Sequence, residues 1–232
     1  MALEIEKKFI VRNPEKTLQM LKDRFGDHEL QTKAGFWWCS NYTGITQFIT
    51  VTEPKIGRDI VTSVKDIAEF MINPEEFDYL RLRVVNNEKY IVTFKTKSLI
   101  KGTEQNVEYE YETEKERFME ILRYLEGAGF IFYSNIKKTL LFKEKDFSIE
   151  YSTFNDLKDP YIEVELVGKT ENVLHLRLNK FLNVFKEYQI RPETRSYAEI
   201  SSKENLPRLK QMKLSQYSAE AINDLKNILN NK

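Results

Sequence analysis

The sequence carries paired acidic and paired basic residues whose two-residue spacing could do phosphate chemistry. The charged groups are Glu4/Glu6, Glu108/Glu110, Glu163/Glu165, Arg81/Arg83, Lys8, Lys95 and Lys138. Carboxylate oxygens are the ligands that hard divalent cations prefer, and clustered Arg and Lys side chains bind anions that offer several oxygens. A metal-bound polyphosphate would satisfy both kinds of site.

These residues fall in segments where polar and apolar residues alternate, which is typical of half-buried β-strands. Successive side chains of a strand point to opposite faces, so residues two apart share one face. Strands are predicted over residues 3–11, 79–86, 89–97, 106–113, 136–143, 147–152 and 160–167. Like charges on adjacent strands repel one another unless a ligand of opposite sign lies between them. A solvated sheet face would also alternate, and the residues alone leave both interpretations open.

Four other segments have apolar residues at helical spacing and predict helices that pack on the sheet. They are residues 14–25, 114–127, 171–187 and 216–230. The dipeptide Asn86-Asn87 predicts a tight hairpin, because Asn tolerates the positive φ that such turns require. The stretch 26–78 is interpreted as two or three strands and an insertion, with a short helix near Val64–Met71.

The composition argues against several other partners and sites. The chain has 232 residues, and its 36 basic and 36 acidic residues give a net charge of zero, so no overall field attracts nucleic acid or an anionic membrane. A single cysteine, Cys39, with His28 and His175 far apart in sequence, cannot form a Cys-based zinc site. No secretion signal and no apolar window of ~18 residues is present. We expect a cytoplasmic protein without a nucleic-acid or membrane partner.

Two further motifs have plain structural interpretations. Gly168-Lys169-Thr170 looks like the end of a phosphate-binding loop, but Glu163 stands where that motif requires its first glycine. The segment is therefore predicted to end a strand and start a helix. The pair Trp37-Trp38 favours core packing over base stacking, although a stacking role for Trp38 would favour nucleotides.

Taken in order, the charged motifs resemble those of the CYTH superfamily, the triphosphate tunnel metalloenzymes. The matching segments are Glu4-Ile5-Glu6-Lys7-Lys8 for its Glu-x-Glu-x-Lys signature, Arg81-Leu82-Arg83, Thr93-Phe94-Lys95, Glu108-Tyr109-Glu110 and Glu163-Val164-Glu165. The resemblance implies an α+β fold in which an antiparallel eight-stranded β-barrel, the triphosphate tunnel, is flanked by helices. We expect this domain over residues 1–200, enlarged at about 26–78, with a C-terminal helical extension over 201–232.

The resemblance also implies a role for each charged residue. The expected ligands of Mg²⁺ or Mn²⁺ are Glu4, Glu6, Glu108, Glu110, Glu163 and Glu165. The expected triphosphate-binding residues are Lys8, Arg81, Arg83, Lys95, Lys138 and Arg195. A surface salt bridge is an equal interpretation of Arg195. The expected catalytic residues are Glu4, Glu6, Lys8 and Glu110.

The chain departs from the family pattern in its distal half. Leu140 stands two positions after Lys138, where the family often has Arg, and Ser152 stands two positions after Glu150, where an acidic residue is usual. Lys143 or Lys145 would be the substitute for the missing base.

The function that the resemblance implies is metal-dependent hydrolysis of inorganic triphosphate or of a nucleoside or other organic triphosphate. One alternative is a class IV-type adenylyl cyclase, which makes cyclic AMP and pyrophosphate from ATP. Another is a non-catalytic module that binds a polyphosphate or nucleotide. The expected partner is the small-molecule triphosphate, and the C-terminal helix would serve packing or homodimer formation.

Overall fold

A computed structural model describes residues 3–40, 56–73, 77–100, 103–145, 147–168, 171–183, 185 and 190–230. The strands are β1 (Leu3–Ile10), β2 (Glu29–Ser40), β3 (Tyr79–Val85), β4 (Lys89–Ile100), β5 (Thr103–Thr113), β6 (Gly129–Lys143), β7 (Ser148–Phe154), β8 (Tyr161–Gly168) and β9 (Arg191–Glu193). The helices are α1 (Pro14–Phe25), α2 (Arg58–Ala68), α3 (Lys115–Ala128), α4 (Glu171–Leu182), α5 (Tyr197–Glu204), α6 (Leu206–Leu209) and α7 (Leu214–Asn230).

The α+β class and the antiparallel sheet are confirmed. The sheet has nine strands in the described residues, where eight were expected, because the short β9 pairs with the end of β1. The seven predicted strands and four predicted helices are all present. The closed barrel stays a prediction of the resemblance.

Local sequence signals explain several element boundaries. Helix α1 begins where the Asn13 side chain accepts a hydrogen bond from the Lys16 amide at 3.2 Å, and Pro14 fits the first helical position. It ends at Gly26, whose φ of 69° suits a residue without a side chain. Asn86 and Asn87 have φ of 53° and 57° between β3 and β4, which confirms the predicted hairpin.

The chain divides into two compact units. Unit 1 contains Met1–Thr32, Lys97–Glu108 and Lys137–Ser196, and unit 2 contains Lys33–Thr96, Tyr109–Ile136 and Tyr197–Lys232. Strands β2, β4, β5 and β6 therefore contribute a part to each unit. The predicted division into residues 1–200 and 201–232 stays a prediction.

Unit 1 is an antiparallel sheet with α1 and α4 packed on one face. Strand β1 pairs with β5, β8 and β9, β8 pairs with β7, and β7 pairs with β6. The covered face buries apolar side chains from the strands and helices, including Ile5, Leu21, Ile149, Ile162 and Leu178. Each fully buried side chain of this size contributes roughly 1.5–3 kcal/mol. The glutamates Glu4, Glu6, Glu150, Glu163 and Glu165 of the same strands have the opposite parity and lie on the other face.

Unit 2 has the same plan, with α2, α3 and α7 packed on the sheet. Strand β3 pairs with β2 and β4, and its Leu80 and Leu82 are buried with Trp38 and with Leu225 of α7. The Trp38 indole donates a hydrogen bond to the Leu125 carbonyl at 3.0 Å. Trp38 is thus a core residue, which confirms packing and excludes base stacking at this position.

Two sequence interpretations outside the charged motifs can also be compared with the structure. Strand β8 ends at Gly168 and α4 begins at Glu171, as predicted in place of a phosphate-binding loop. In the stretch 26–78, the structure describes β2 and α2, and α2 begins at Arg58, earlier than the predicted Val64. Residues 41–55 and 74–76 lie outside the described residues. In the ranges that the structure describes, no helix is long and apolar enough to cross a membrane.

Candidate functional site

The predicted site residues are distributed over both units. Unit 1 contains Glu4, Glu6, Lys8, Glu108, Lys138, Glu163, Glu165 and Arg195, and unit 2 contains Arg81, Arg83, Lys95 and Glu110. Each unit therefore has its own charged face, and the two faces differ in sign.

The acidic face of unit 1 consists of Glu4, Glu6, Glu150, Glu163 and Glu165, together with two lysines. Antiparallel register places Glu6 directly opposite Glu165 and Glu150 directly opposite Glu163. Directly opposed like charges destabilise a sheet unless a cation lies nearby. The arrangement therefore requires positive charge on this face.

Lys137 of β6 provides part of that charge. Its Nζ donates hydrogen bonds to Glu150 Oε2 at 2.7 Å and to Glu163 Oε2 at 3.1 Å, and the three side chains are only 12–14% exposed. Burial raises the pKa of Glu163, but the Lys137 ammonium and the nearby Lys8 lower it, and the net shift is downward. The carboxylate of Glu163 is therefore held in its ionised form.

The neighbouring Lys138, which was the predicted phosphate ligand, is exposed. Lys138 is two residues from Leu140, so the two residues lie on the same face of β6. Leu140 packs against the core that the helices of unit 1 cover. Lys137 and Thr139 are consecutive residues of the charged face of β6, since they are two apart in sequence. Thr139 Oγ1 lies 2.8 Å from Ser152 Oγ, and both residues are buried. The sequence interpretation was thus shifted by one residue on β6, and Leu140 is not the residue that faces Ser152.

A second buried lysine of unit 1, Lys8, is 6% exposed and lies opposite Glu163 on β8 and opposite Glu193 on β9. Arg195 donates to Glu193 through Nε at 2.9 Å and through Nη2 at 2.5 Å. These hydrogen bonds lower the pKa of Glu193 to about 2, although its burial acts in the opposite direction. Of the two interpretations of Arg195, the structure contains the salt bridge.

The basic face of unit 2 centres on Arg81 and Arg83 of β3. Register places Arg81 opposite Thr93 of β4. The Oε1 atom of Glu110 accepts hydrogen bonds from Arg81 Nη2 at 3.0 Å, from Thr93 Oγ1 at 3.1 Å and from Arg83 Nη1 at 3.4 Å. Lys95 is half-buried on the same face of β4 as Thr93. The donors of two strands therefore converge on one anionic oxygen.

Trp37 of β2 lies beside Arg81 in this basic group. It was not among the site residues predicted from the sequence. It lies opposite Arg81, and the Arg81 guanidinium carbon is 5.8 Å from the centre of its ring, within the range of a cation–π contact. A Cβ atom at Gly35 would lie 2.8 Å from the Trp37 ring. The glycine therefore leaves room for the indole in its present position. The signal was present in the alternation of β2, where Trp37 and Trp38 must face opposite sides.

The donor set of the acidic face fits Mg²⁺ or Mn²⁺ in kind, because these ions prefer carboxylate oxygens. Within the described part of the chain, however, no group of three Asp, Glu, His or Cys side chains is arranged to hold a metal ion. Cys39 is no alternative ligand, since burial raises the pKa of its thiol to about 12. A metal on this face would need the carboxylates to rearrange.

Comparison with known proteins adds information on the fold. No protein-family model matches the sequence, and no curated protein matches it. A proposed adenylate cyclase from Vibrio parahaemolyticus has a similar structure, with a TM-score of 0.60 and 15% identity over 86% of this chain and 98% of that one. HpAC1 from Hippeastrum, a proposed adenylyl cyclase described as having a dominant triphosphatase activity, matches with a TM-score of 0.50 and 16% identity over 86% and 94%.

A chain in the structure of the Schizosaccharomyces pombe Mediator head module also matches, with a TM-score of 0.52 and 9% identity over 81% of this chain and 97% of that one. One fold hosts several functions, so structural likeness at such identities shows the fold alone. The chain has the α+β fold of these proteins.

Proposed function

We propose that this chain is a divalent-metal-dependent enzyme that hydrolyses inorganic triphosphate or an organic triphosphate. The observation that carries the proposal is the convergence of Arg81, Arg83 and Thr93 on one anionic oxygen, in a chain that also has a carboxylate-lined face. Forked guanidinium donors are suited to phosphate oxygens. The fold shared with HpAC1, which is described as having a dominant triphosphatase activity, supports the same choice.

The basic residues would bind and orient the triphosphate. Arg81, Arg83 and Lys95 would donate hydrogen bonds to phosphate oxygens and offset the negative charge that develops on the leaving group. In unit 1, Lys8 and Arg195 stay in the proposed set. Lys137 replaces Lys138, because its ammonium lies on the charged face and that of Lys138 does not.

The carboxylates would bind the metal and order the attacking water. Glu4, Glu6, Glu163 and Glu165 would hold Mg²⁺ or Mn²⁺, and Glu108 would hold a second ion or orient the water. When bound, such an ion would polarise the phosphate oxygens for in-line attack. Catalytic roles for Glu4, Glu6 and Lys8 are proposed on this basis. Glu110 has a different environment, since its carboxylate already accepts from two arginines.

Two alternative functions are each supported by one observation. A cyclase, in which the ribose 3′-hydroxyl attacks the α-phosphate and pyrophosphate leaves, is supported by the likeness to the Vibrio protein. A binding module without turnover is supported by the neutral Thr139–Ser152 pair, in which Ser152 stands where an acidic residue was expected.

The test is to incubate the purified protein with Mg²⁺ or Mn²⁺ and either inorganic triphosphate or ATP, and to resolve all products. Release of inorganic phosphate, dependent on the metal, is the expected result. Cyclic AMP with pyrophosphate would replace the hydrolase by the cyclase. Tight binding without any product would leave the binding module, and neither binding nor product would overturn the proposal.

A further inference from the structure

We infer that Glu110 is a built-in substitute for a phosphate oxygen, which occupies the anion site of unit 2 until a polyphosphate displaces it. The inference rests on the proposed function, because the displacing ligand is the triphosphate named there. Glu110 would then regulate access to the site, in contrast to the metal-binding and catalytic roles that the sequence resemblance implies.

The number of donors is the first argument. Three donors from Arg81, Arg83 and Thr93 lie 3.0–3.4 Å from the single atom Glu110 Oε1, although one carboxylate oxygen has only two lone pairs. A terminal phosphate group offers three oxygens, so each guanidinium group could have an acceptor of its own. A phosphate therefore satisfies these donors better than the carboxylate does.

The difference in exposure is the second argument. The side chains of Arg81 and Arg83 are 12% and 17% exposed, whereas that of Glu110 is 41% exposed. Arg81 is further fixed by the Trp37 ring and by its hydrogen bond to Thr93 at 3.4 Å. The donors are held in place, and the acceptor is the member of the group that can turn out into solvent.

Charge balance explains why an acidic residue would occupy this position. Two guanidinium groups side by side repel one another when no anion is bound, and burial makes such repulsion stronger. The Glu110 carboxylate removes this repulsion in the free protein. The carboxylate must also be displaced before an anion binds. The apparent affinity for that anion is therefore reduced by the fraction of molecules in which the carboxylate occupies the site.

The experiment measures binding of inorganic triphosphate by calorimetry in the presence of EDTA, so that no metal contributes. We compare the unmodified protein with Glu110→Gln, which keeps the side-chain shape and removes the charge. The expected result is a dissociation constant about tenfold lower for Glu110→Gln, as competition by an occupied state predicts.

Glu112→Gln is the matched control, because it removes the same charge from the same face of the same strand. The Glu112 side chain is 59% exposed and lies 3.6 Å from Lys89, away from the two arginines. We expect its affinity to stay within about twofold, since exposed pairs contribute little. If both variants gained affinity equally, the change in net charge would explain the gain, and the inference would be overturned.

The remaining outcomes separate the inference from the proposed function. Binding by the unmodified protein that Glu110→Gln leaves unchanged or weakens would overturn the inference alone. Absence of binding in every protein would overturn the inference, whereas the proposed hydrolysis is decided by the product assay with Mg²⁺ or Mn²⁺. If Glu110→Gln does not fold, Glu110→Asp replaces it, because the shorter side chain keeps the charge but withdraws from the arginines. Affinity above that of the unmodified protein supports the inference, and unchanged or lower affinity overturns it.

Discussion

Glu6 is the residue whose removal should affect the proposed metal site most directly. It lies opposite Glu165, and its side chain is within hydrogen-bonding reach of Glu163. Glu6→Gln removes one oxygen ligand and one negative charge, so we expect metal-dependent phosphate release to fall at least about 100-fold. The melting temperature and Glu112→Gln serve as controls for folding and for net charge. Undiminished turnover in Glu6→Gln would contradict the site assignment.

The two adjacent lysines of β6 should behave very differently when each is replaced by methionine. Lys137→Met leaves Glu150 and Glu163 without the ammonium that now lies between them. Breaking a buried ion pair in this way costs about 3–5 kcal/mol of unfolding free energy. Lys138→Met changes an exposed residue, for which we expect an effect within about 0.5 kcal/mol. Urea denaturation of both variants measures the difference, and equal losses would refute the register described for β6.

The same pair marks the limit of what the sequence could predict about the site. Alternation identifies the two faces of a strand only when one parity is clearly apolar, and in β6 the residues Leu140, Leu141 and Phe142 are apolar at both parities. Either lysine could then be assigned to the charged face. The decision comes from cross-strand register, which pairs Thr139 with Ser152, and a single sequence does not contain that information.

At the level of elements, strands and helices with a clear period were predicted well, whereas short or irregular ones were missed. Helix α1 begins and ends at the predicted residues because Asn13 and Gly26 cap it. The three-residue strand β9 has no period of its own and is defined by its pairing with β1. Helix α5 was missed for a related reason, since its hydrophobic stripe is short. Tertiary contacts, which propensity does not record, fix such elements.

Helix α7 is part of the core of unit 2. The spacing of its apolar residues predicted a helix but did not indicate what the helix packs against. Leu225 is fully buried there among residues of α2, α3 and the sheet. We expect Leu225→Ala to lower the free energy of unfolding by about 2–5 kcal/mol, because it leaves a cavity. The exposed neighbour Asp224 provides the control, and Asp224→Ala should stay within about 0.5 kcal/mol. Similar small effects for both would indicate that α7 is a detachable appendage.

For the whole molecule, a net charge of zero from 36 basic and 36 acidic residues conceals two charged faces of opposite sign, one in each unit. The acidic face of unit 1 is partly neutralised by Lys8 and Lys137, and the basic face of unit 2 by Glu110. Each face thus contains a side chain of the opposite sign. This explains how strongly charged faces persist in the free protein, and why the proposed ligand would have to compete with internal ion pairs.

These internal ion pairs predict how the stability of the whole molecule depends on pH. The folded-state pKa of Glu193 is about 2, below its ordinary value of 4.5, and that of Glu163 is also lowered. A carboxyl group of this kind stabilises the folded state above its unfolded-state pKa and loses that contribution as the pH falls through its folded-state pKa. The free energy of unfolding should therefore decline between about pH 5 and pH 2.

Glu193→Gln tests this dependence, because the amide cannot titrate and binds Arg195 more weakly. Relative to the unmodified protein, the variant should be less stable at pH 7 and should lose less stability between pH 7 and pH 3. Urea denaturation at the two pH values gives both differences, and Glu144→Gln, which changes an exposed carboxyl group, is the control. A decline in Glu193→Gln as steep as that of the unmodified protein would show that the Glu193–Arg195 pair does not contribute to acid sensitivity.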